Sequence, residues 1–291
     1  MPELPRYPIY VPSKGRAGLK GPKTFRCFQN DGVPHHVVVE EQELEQYERN
    51  WSHPTTTFLV LPKQNQGLLY SRNWIMDHAI EHEAKRHWQF DDNSWLFARY
   101  YKGRCIPIAS DLAIRMVEDF TDRYKNVAIS GMDYEMFVVR GSTTKPFTRN
   151  CRVYSASLHN NEAPFRWRIA YNDDTDICLQ ALSTGWWCTL LIRAVTIRKA
   201  KTMTVKGGNT DDLYQDDGRN TMARTLERLW PGVVETKRKF GRPQHSVAYT
   251  WRHFDQPLIP ADDPQPIPKY EMTLTGTPQS ESLRRALASE H

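Results

Sequence analysis

The first ninety residues alternate between short β-prone runs and helix-compatible segments, which strongly limits the folds open to this chain. The β-prone runs are Tyr7 to Val11, Val37 to Val39, Thr57 to Leu61 and His87 to Phe90. Helical segments are predicted over Gln42 to Asn50 and Arg72 to Arg86. A repeated order of strand, helix, strand is typical of a parallel sheet with helices on its faces. We therefore expect an α/β protein with a mostly parallel, Rossmann-type sheet.

Two carboxylates and an amide, Asp91, Asp92 and Asn93, follow the fourth predicted strand directly. Ligands of open α/β sheets gather at the carboxyl ends of the strands. Adjacent carboxylates resist desolvation unless water or a cation neutralises them, and Mg²⁺ prefers such oxygen ligands. The three residues therefore predict a metal site, although a solvated Asp-Asp-Asn turn would explain them as well.

Positive charge is concentrated late in the chain. Residues 193–252 contain thirteen Lys or Arg and six Asp or Glu, while the whole chain carries a net charge of +5. Such a block can bind a polyanion, and it can equally be a solvated surface. If the polyanion is a nucleic acid such as DNA, the residues of this block that we expect to contact it are Arg198, Lys199, Lys201, Lys237, Arg238 and Lys239.

The five cysteines are widely spaced and include no Cys-x-x-Cys pair, so neither a disulfide framework nor a zinc ribbon is indicated. The sequence shows no leader peptide and no apolar run long enough to span a bilayer. We expect a globular protein with reduced thiols that acts in a cytoplasm.

The middle of the chain predicts a well-formed helix over Ser110 to Tyr124, and strands over Asn126 to Ile129 and Glu135 to Val139. Three acids, Asp173, Asp174 and Asp176, open a helix that continues to Leu182. Helix capping explains acids at this position, and a fixed carboxylate there would also suit a general base.

The last third predicts a strand over Trp186 to Ile197, a helix over Thr221 to Trp230 and a final strand over Val247 to Trp251. Six prolines then follow Gln256. Their density predicts an extended C-terminal tail, residues 256–291, outside the catalytic unit.

Two loops combine cations with flexible backbone: Ser13-Lys14-Gly15-Arg16 and Lys206-Gly207-Gly208-Asn209. Neither is a P-loop or a dinucleotide fingerprint. Together with Val38-Val39-Glu40, Arg72-Asn73-Trp74, the run from Trp88 to Asn93 and the run from Arg168 to Asp176, they resemble in order and spacing the TET-associated glycosyltransferases. These are phage enzymes of the GT-A fold thought to attach sugars to hydroxymethylated pyrimidines in DNA. The likeness covers roughly Tyr7 to Phe254.

The resemblance implies one GT-A-like domain over residues 1–255, with a nucleotide-sugar half to about residue 130 and an acceptor half after it. It implies a Mn²⁺ or Mg²⁺ site at Asp91, Asp92, Asn93 and His245. It implies that Asp174, beside Asp173, is the catalytic base. It also implies a set of residues that bind the sugar donor, several of them in the two loops above. They are Ser13, Lys14, Arg16, Glu40, Arg72, Asp91, Gly131 (as a glycine loop) and Lys206.

The implied reaction is an inverting transfer from a UDP-sugar to hydroxymethylated DNA in the cytoplasm of an infected bacterium. Trp186 or Trp187 could stack on an exposed base, although tryptophans more often belong to the core. Two other functions stay open on the residues alone. A metal-dependent nuclease would also use Asp91 and Asp92, and a non-catalytic DNA-binding protein would need only the basic block.

Overall fold

The computed structural model describes residues 4–18, 22–138, 141, 145–199, 218–239, 242–247, 251 and 253–264. Its centre is a ten-stranded sheet in which nine strands lie in the order β3-β2-β1-β4-β9-β7-β10-β5-β6, and β8 also pairs with β10. Strands β1 to β4, β6, β7 and β10 run in one direction, and β5, β8 and β9 run in the other. The mostly parallel α/β sheet expected from the sequence is confirmed.

The first half of the sheet is entirely parallel. Its elements are β1 (Ile9–Pro12), α1 (Lys23–Asp31), β2 (His35–Val39), α2 (Glu41–Trp51), β3 (Thr56–Val60), α3 (Gly67–Glu81) and β4 (Arg86–Phe90). Strand β4 is buried along its whole length, because β1 and β9 pair with its two edges and its faces are covered. Asp91, which directly follows the carboxyl end of β4, is therefore held by a buried and well-packed strand.

The second half mixes strand directions. Its elements are β5 (Ser94–Tyr101), β6 (Arg104–Pro107), α4 (Ser110–Thr121), β7 (Val127–Tyr134), a 3₁₀ turn (Glu135–Phe137), β8 (Phe147–Arg149), β9 (Ala156–Asn160), α5 (Asp173–Leu182) and β10 (Cys188–Lys199). The strand predicted to end at Ile129 continues to Tyr134. The strand predicted over residues 135–139 is wrong, since residues 135–137 form the 3₁₀ turn.

A small helix and ribbon follow. These are α6 (Gly218–Leu229), β11 (Glu235–Lys239) and β12 (Arg242–Ser246). The two strands pair only with each other and form an antiparallel ribbon. Leu226 and Val234 pack on Leu179 of α5, which attaches this unit to the domain. Of the predicted final strand over Val247 to Trp251, residues 248–250 lie outside the described residues, and neither Val247 nor Trp251 is in a strand, since β12 ends at Ser246.

Residues 256–264 pack on the domain, so the predicted free tail is wrong for this segment. Asn126 donates to the carbonyl of Pro257 (2.9 Å) and accepts from the amide of Ile259 (2.8 Å). Gln256 donates to the carbonyl of Leu182 (2.6 Å). Buried polar groups of the domain are satisfied by this segment, which makes it part of the fold. Residues 265–291 lie outside the described residues.

None of the five cysteines, which all lie among the described residues, forms a disulfide. Among the described residues, no helix is both long and apolar enough to cross a membrane.

Candidate active site

The carboxyl ends of β1, β4, β7 and β10 meet the amino end of β9 at one edge of the sheet. Five polar groups converge there: Asp91 and Asp92 after β4, the loop after β1, Ser155 before β9, and Lys199 at the end of β10. Because β9 runs against its neighbours, its first residue lies at the edge where they end.

Asp92 is buried and is held by the loop after β1. Ser13 Oγ donates to Asp92 Oδ2 (2.6 Å), and the Arg16 guanidinium pairs with the other carboxylate oxygen. Gly15, at φ 68°, makes the turn that brings Arg16 back to the strand end. Burial raises the pKa of Asp92, while Arg16 opposes this shift. Asp92 thus fixes the loop that the sequence predicted to bind the donor.

Asp91 is held by the other side of the site. Lys199 Nζ donates to Asp91 Oδ2 (2.9 Å), Ser155 Oγ donates to the same oxygen (2.7 Å), and Arg72 Nη2 donates to Oδ1 (3.2 Å). Burial alone would raise the pKa of Asp91, but Lys199 and Arg72 outweigh it and lower the pKa to about 2. Asp91 is therefore an anion at any physiological pH.

Arg72 joins Asp91 to the start of α5. Its Nη1 donates to Asp173 Oδ2 (2.6 Å), and its guanidinium lies over the ring of Trp167, 4.4 Å from the centroid. Burial raises the pKa of Asp173 to about 6, and the carboxylates of Asp174 and Asp91 add to the effect although Arg72 opposes it. A carboxylate with such a pKa can accept a proton near neutral pH.

The other two acids of α5 have different surroundings. Asp174 accepts from the backbone amide of Thr175 (2.8 Å) and lies 3.9 Å from Arg152. Asp176 is buried, and accepts from Arg168 (2.8 Å) and from the indole of Trp230 (2.7 Å). Asp176 is thus structural, whereas Asp173 and Asp174 remain candidates for the chemistry.

Glu40, at the end of β2, lies beside Lys14. Lys14 Nζ is 3.3 Å from Glu40 Oε2, and the backbone amide of Asn65 donates to Glu40 Oε1 (2.7 Å). Ser13, Lys14, Arg16 and Glu40, four of the predicted donor-binding residues, thus lie around the ends of β1 and β2.

The four predicted metal ligands do not all lie together. Asn93 Oδ1 is buried and has no hydrogen-bond partner, so an oxygen donor is available beside the two carboxylates. His245 lies in the ribbon, opposite Thr236, and the described residues contain no cluster of three or more His, Cys, Asp or Glu arranged to hold a metal. The structure thus does not bring His245 together with Asp91 and Asp92.

The sequence matches the family model of the TET-associated glycosyltransferases over residues 7–208. The chain belongs to this family. Comparison with curated proteins gives no match. Among solved structures, two of glucosyl-3-phosphoglycerate synthase from Mycobacterium tuberculosis are similar. The complex with Mg²⁺ and UDP has 8% identity, covers 84% of this chain and 87% of that chain, and gives a TM-score of 0.47. The complex with Mn²⁺, UDP and phosphoglyceric acid has 9% identity, covers 84% and 86%, and gives 0.49.

Family membership makes the protein a glycosyltransferase and favours that class over the nuclease and the non-catalytic DNA-binding protein. The α/β architecture with its mostly parallel sheet agrees with the GT-A type of fold that the resemblance implied.

Gly131, predicted as a glycine loop of this glycosyltransferase, lies inside β7. A Cβ there would be 2.2 Å from the carbonyl oxygen of Ala156 and 2.6 Å from a methyl group of Val153. The position requires glycine because two strands approach closely, and the predicted loop is wrong.

The predicted DNA-binding residues separate into three groups. Arg198 pairs with Glu135 (2.7 Å) and lies over the ring of Trp95, while Lys199 lies in the active site. Lys237 and Arg238 are exposed on β11, which also contains Lys239 in its backbone pairing. Lys201, like the donor residue Lys206, lies outside the described residues.

Sequence reasoning missed the active-site positions of Lys199, Ser155 and Tyr134. Lys199 was counted with the surface charges, because the shift in pairing that separates it from Arg198 depends on the register of β10 with β5, which no sequence signal marks. Ser155 has φ 63°, a conformation uncommon for a residue other than glycine. No sequence signal marks such strain.

Proposed function

We propose that this glycosyltransferase moves a sugar from a nucleotide sugar, a UDP-sugar, to the hydroxyl of a hydroxymethylated pyrimidine in DNA, with inversion. The observation that supports it best is the chain of ion pairs Asp91, Arg72 and Asp173. Through Arg72, this chain connects Asp91, a carboxylate suited to binding the metal ion of a nucleoside diphosphate, to Asp173, whose pKa suits a general base. A DNA acceptor of this kind places the reaction in the cytoplasm of an infected bacterium.

A divalent ion such as Mn²⁺ or Mg²⁺ fits the donor set, which consists of hard oxygens from two carboxylates and the unpartnered Asn93 Oδ1. Asp91, Asp92 and Asn93 would hold it. When bound, the ion supplies positive charge to the diphosphate leaving group. His245 is dropped from this proposed ligand set.

Cations of the chain surround the same region. Arg16 pairs with Asp92, Arg72 with Asp91, and Lys14 with Glu40, and none of these pairs is fully exposed. Fixed positive charges that face a developing negative charge stabilise a transition state without reorganisation. These residues would therefore bind the diphosphate and the ribose side of the donor.

In the chemical step, the acceptor hydroxyl oxygen attacks the anomeric carbon, and the bond from that carbon to the diphosphate oxygen breaks. The electron pair leaves with the nucleoside diphosphate. The hydroxyl proton passes to a carboxylate of α5. We assign this role to Asp173 ahead of Asp174, because Asp173 shares Arg72 with Asp91 and has the raised pKa.

The ribbon β11–β12 supports a DNA acceptor. Its sequence Glu-Thr-Lys-Arg-Lys opposite Arg-Pro-Gln-His-Ser places four cationic residues in ten. A two-stranded ribbon fits the major groove, and each phosphate contact contributes salt-dependent affinity.

Trp186 and Trp187 do not fit the role of stacking on a flipped base. They precede β10, and its twelve residues separate them from the active-site end by on the order of 30 Å. Phe137 is a better candidate, because it is 47% exposed and its ring lies 5.7 Å from that of Tyr134, which contacts Ser155.

The test is mass spectrometry of nucleosides from DNA containing 5-hydroxymethylcytosine or 5-hydroxymethyluracil, treated with a panel of UDP-sugars and Mn²⁺. A hexosylated nucleoside is the expected product. Release of UDP into water with no product on any DNA would contradict the acceptor. Strand cleavage without sugar release would contradict the transferase itself.

A further inference from the structure

Lys199 neutralises the carboxylate that the proposed metal needs. Its Nζ lies 2.9 Å from Asp91 Oδ2 and 2.9 Å from Ser155 Oγ, and its side chain is 12% exposed. The ammonium also lies 5.3 Å from the centroid of the Tyr134 ring. With Arg72 on Oδ1, both oxygens of Asp91 are bound to cations of the chain itself.

The position of Lys199 follows from an irregularity in β10. The pairing of β10 with β5 shifts between Arg198 and Lys199. Arg198 turns to Glu135 and Trp95, whereas Lys199 turns to Asp91. Bulges of this kind are common beside active sites because they redirect one side chain. The fold thus delivers a single flexible ammonium to the site from the last residue of the strand.

The two cations on Asp91 differ in their freedom. Arg72 is also bound to Asp173 and stacks on Trp167, so its planar guanidinium is fixed by three neighbours. Lys199 is a point charge on a flexible stem, and it can move to another anion without losing a specific geometry. A divalent ion and the Lys199 ammonium both require the same oxygen of Asp91, so each opposes the binding of the other.

We propose that Lys199 exchanges partners during donor binding. In the free enzyme it binds Asp91 and keeps the affinity for a divalent ion low. When the donor binds, Lys199 leaves Asp91, which would then hold the ion, and the Lys199 ammonium donates to the diphosphate instead. The site then admits metal and donor as a pair. This inference rests on the proposed use of a nucleoside diphosphate and a divalent ion, and it is independent of the acceptor.

The test uses Lys199→Met in the full chain, with Lys85→Met, an exposed lysine just before the amino end of β4 and so at the end of that strand opposite Asp91, as the matched control. Free Mn²⁺ is titrated by electron paramagnetic resonance in the absence of nucleotide, and UDP is titrated by calorimetry in saturating Mn²⁺. The variant should bind Mn²⁺ alone about tenfold more tightly and UDP about tenfold more weakly, since one charge is lost from each competition. The control should change neither value.

Tighter binding of Mn²⁺ together with weaker binding of UDP in Lys199→Met supports the exchange. A loss of both affinities would show that Lys199 only maintains the site, and no change in either would show that it does not contact these ligands. If Lys199→Met does not fold, Ser155→Ala decides, because it removes one anchor of the ammonium and keeps the charge. It should raise the affinity for Mn²⁺ alone by about threefold and leave UDP within about twofold; unchanged Mn²⁺ affinity would overturn the exchange.

Failure of the proposed acceptor is a separate result. If the wild-type enzyme hexosylates no DNA, but Lys199→Met binds Mn²⁺ more tightly and UDP more weakly than wild type, the exchange is supported and the DNA substrate is contradicted. Wild-type enzyme that hexosylates DNA while Lys199→Met binds both ligands normally keeps the function and loses the exchange.

Discussion

Asp91 and Asp92 are neighbours in the chain, but most of their binding partners come from different halves of the sheet. Asp92 is bound by Ser13 and Arg16, which lie in the parallel half that begins the chain. Asp91 is bound by Lys199 and Ser155, which belong to the mixed half, and by Arg72 of α3. The two carboxylates thus have separate sets of partners, although both lie just beyond the end of β4.

Because their partners differ, the adjacent acids Asp91 and Asp92 have different structural roles. The partners of Asp92 fix a loop, and the partners of Asp91 connect the strand end to the proposed base. A substitution at either acid should therefore change a different kinetic constant.

Asp91→Asn should reduce kcat by about 10³ and change KM for the UDP-sugar little, because it leaves Lys199 and Arg72 without their anion and disturbs charge stabilisation in the transition state. Asp92→Asn should raise that KM by about tenfold with a smaller loss of kcat, because it frees Arg16 and its loop. Steady-state kinetics measures both, and Glu45→Gln, an 87% exposed position, is the control. Identical changes in the two variants would contradict the separation.

Asp173→Asn should reduce kcat by about 10² to 10³ through loss of the proposed base. In the wild type, kcat/KM should fall tenfold per pH unit below about pH 6, because protonated Asp173 cannot accept the hydroxyl proton and its raised pKa lies there. Asp91 from β4, Asp174 from α5 and Arg72 from α3 are the charged groups that face it. The variant should lose this acid limb.

A second readout follows from linkage. The folded state raises the pKa of Asp173, so ionisation above pH 6 destabilises the fold, and stability decreases as the pH rises from about 4 to 6. Asp173→Asn should therefore raise Tm at pH 7.5 and leave it nearly unchanged at pH 4. An unaltered pH–rate profile in the variant would transfer the role of base to Asp174.

Truncation after Asp255 should lower Tm by about 5 °C or more, because Asn126 and the carbonyl of Leu182 lose their partners in residues 256–264. These contacts lie at the amino ends of β7 and β10, opposite the site, so kcat measured well below Tm should be retained. Truncation after Pro264 is the matched control and should behave as wild type. An unchanged Tm in the shorter protein would restore the predicted boundary at residue 255.

Replacement of Lys237, Arg238 and Lys239 by Gln should raise KM for hydroxymethylated DNA several-fold and reduce its salt dependence, since up to three phosphate contacts are lost. Hydrolysis of the UDP-sugar without DNA should not change. Lys85→Gln controls for the loss of a surface charge. A DNA KM that is unchanged at every salt concentration would remove the ribbon from the acceptor surface.

The first half was predictable because its signals are local. Each β-prone run of residues 7–90 became a parallel strand with a small shift in its ends, and the loop of Ser13 and Arg16 reached Asp92 because parallel strands end at one edge. Lys14 and Glu40 met for the same reason. Periodicity and the rule for strand ends were sufficient for these positions.

The second half depended on interactions that no local signal encodes. Strand β10 pairs with β5, about a hundred residues earlier, so Lys199 reaches Asp91 only through the register of the sheet. Counting charges placed Lys199 on the surface. The raised pKa of Asp173 depends on burial, which its sequence neighbours do not reveal. His245 was expected near the carboxylates, but it lies in a separate ribbon that no local pattern indicates.

The central position of β10 has a consequence for synthesis of the chain. Strands β5, β7 and β8 all pair with β10, which is the last strand of the sheet to leave the ribosome. Until it emerges, the nascent chain has unpaired strand edges, and such edges pair readily with other chains. A chain whose translation stops before β10 is complete at Lys199 would thus be prone to aggregate through these unpaired strands. The same strand both completes the pairing of the sheet and ends in Lys199, the cation that binds Asp91. Correct folding of the sheet and assembly of the candidate active site therefore both depend on β10.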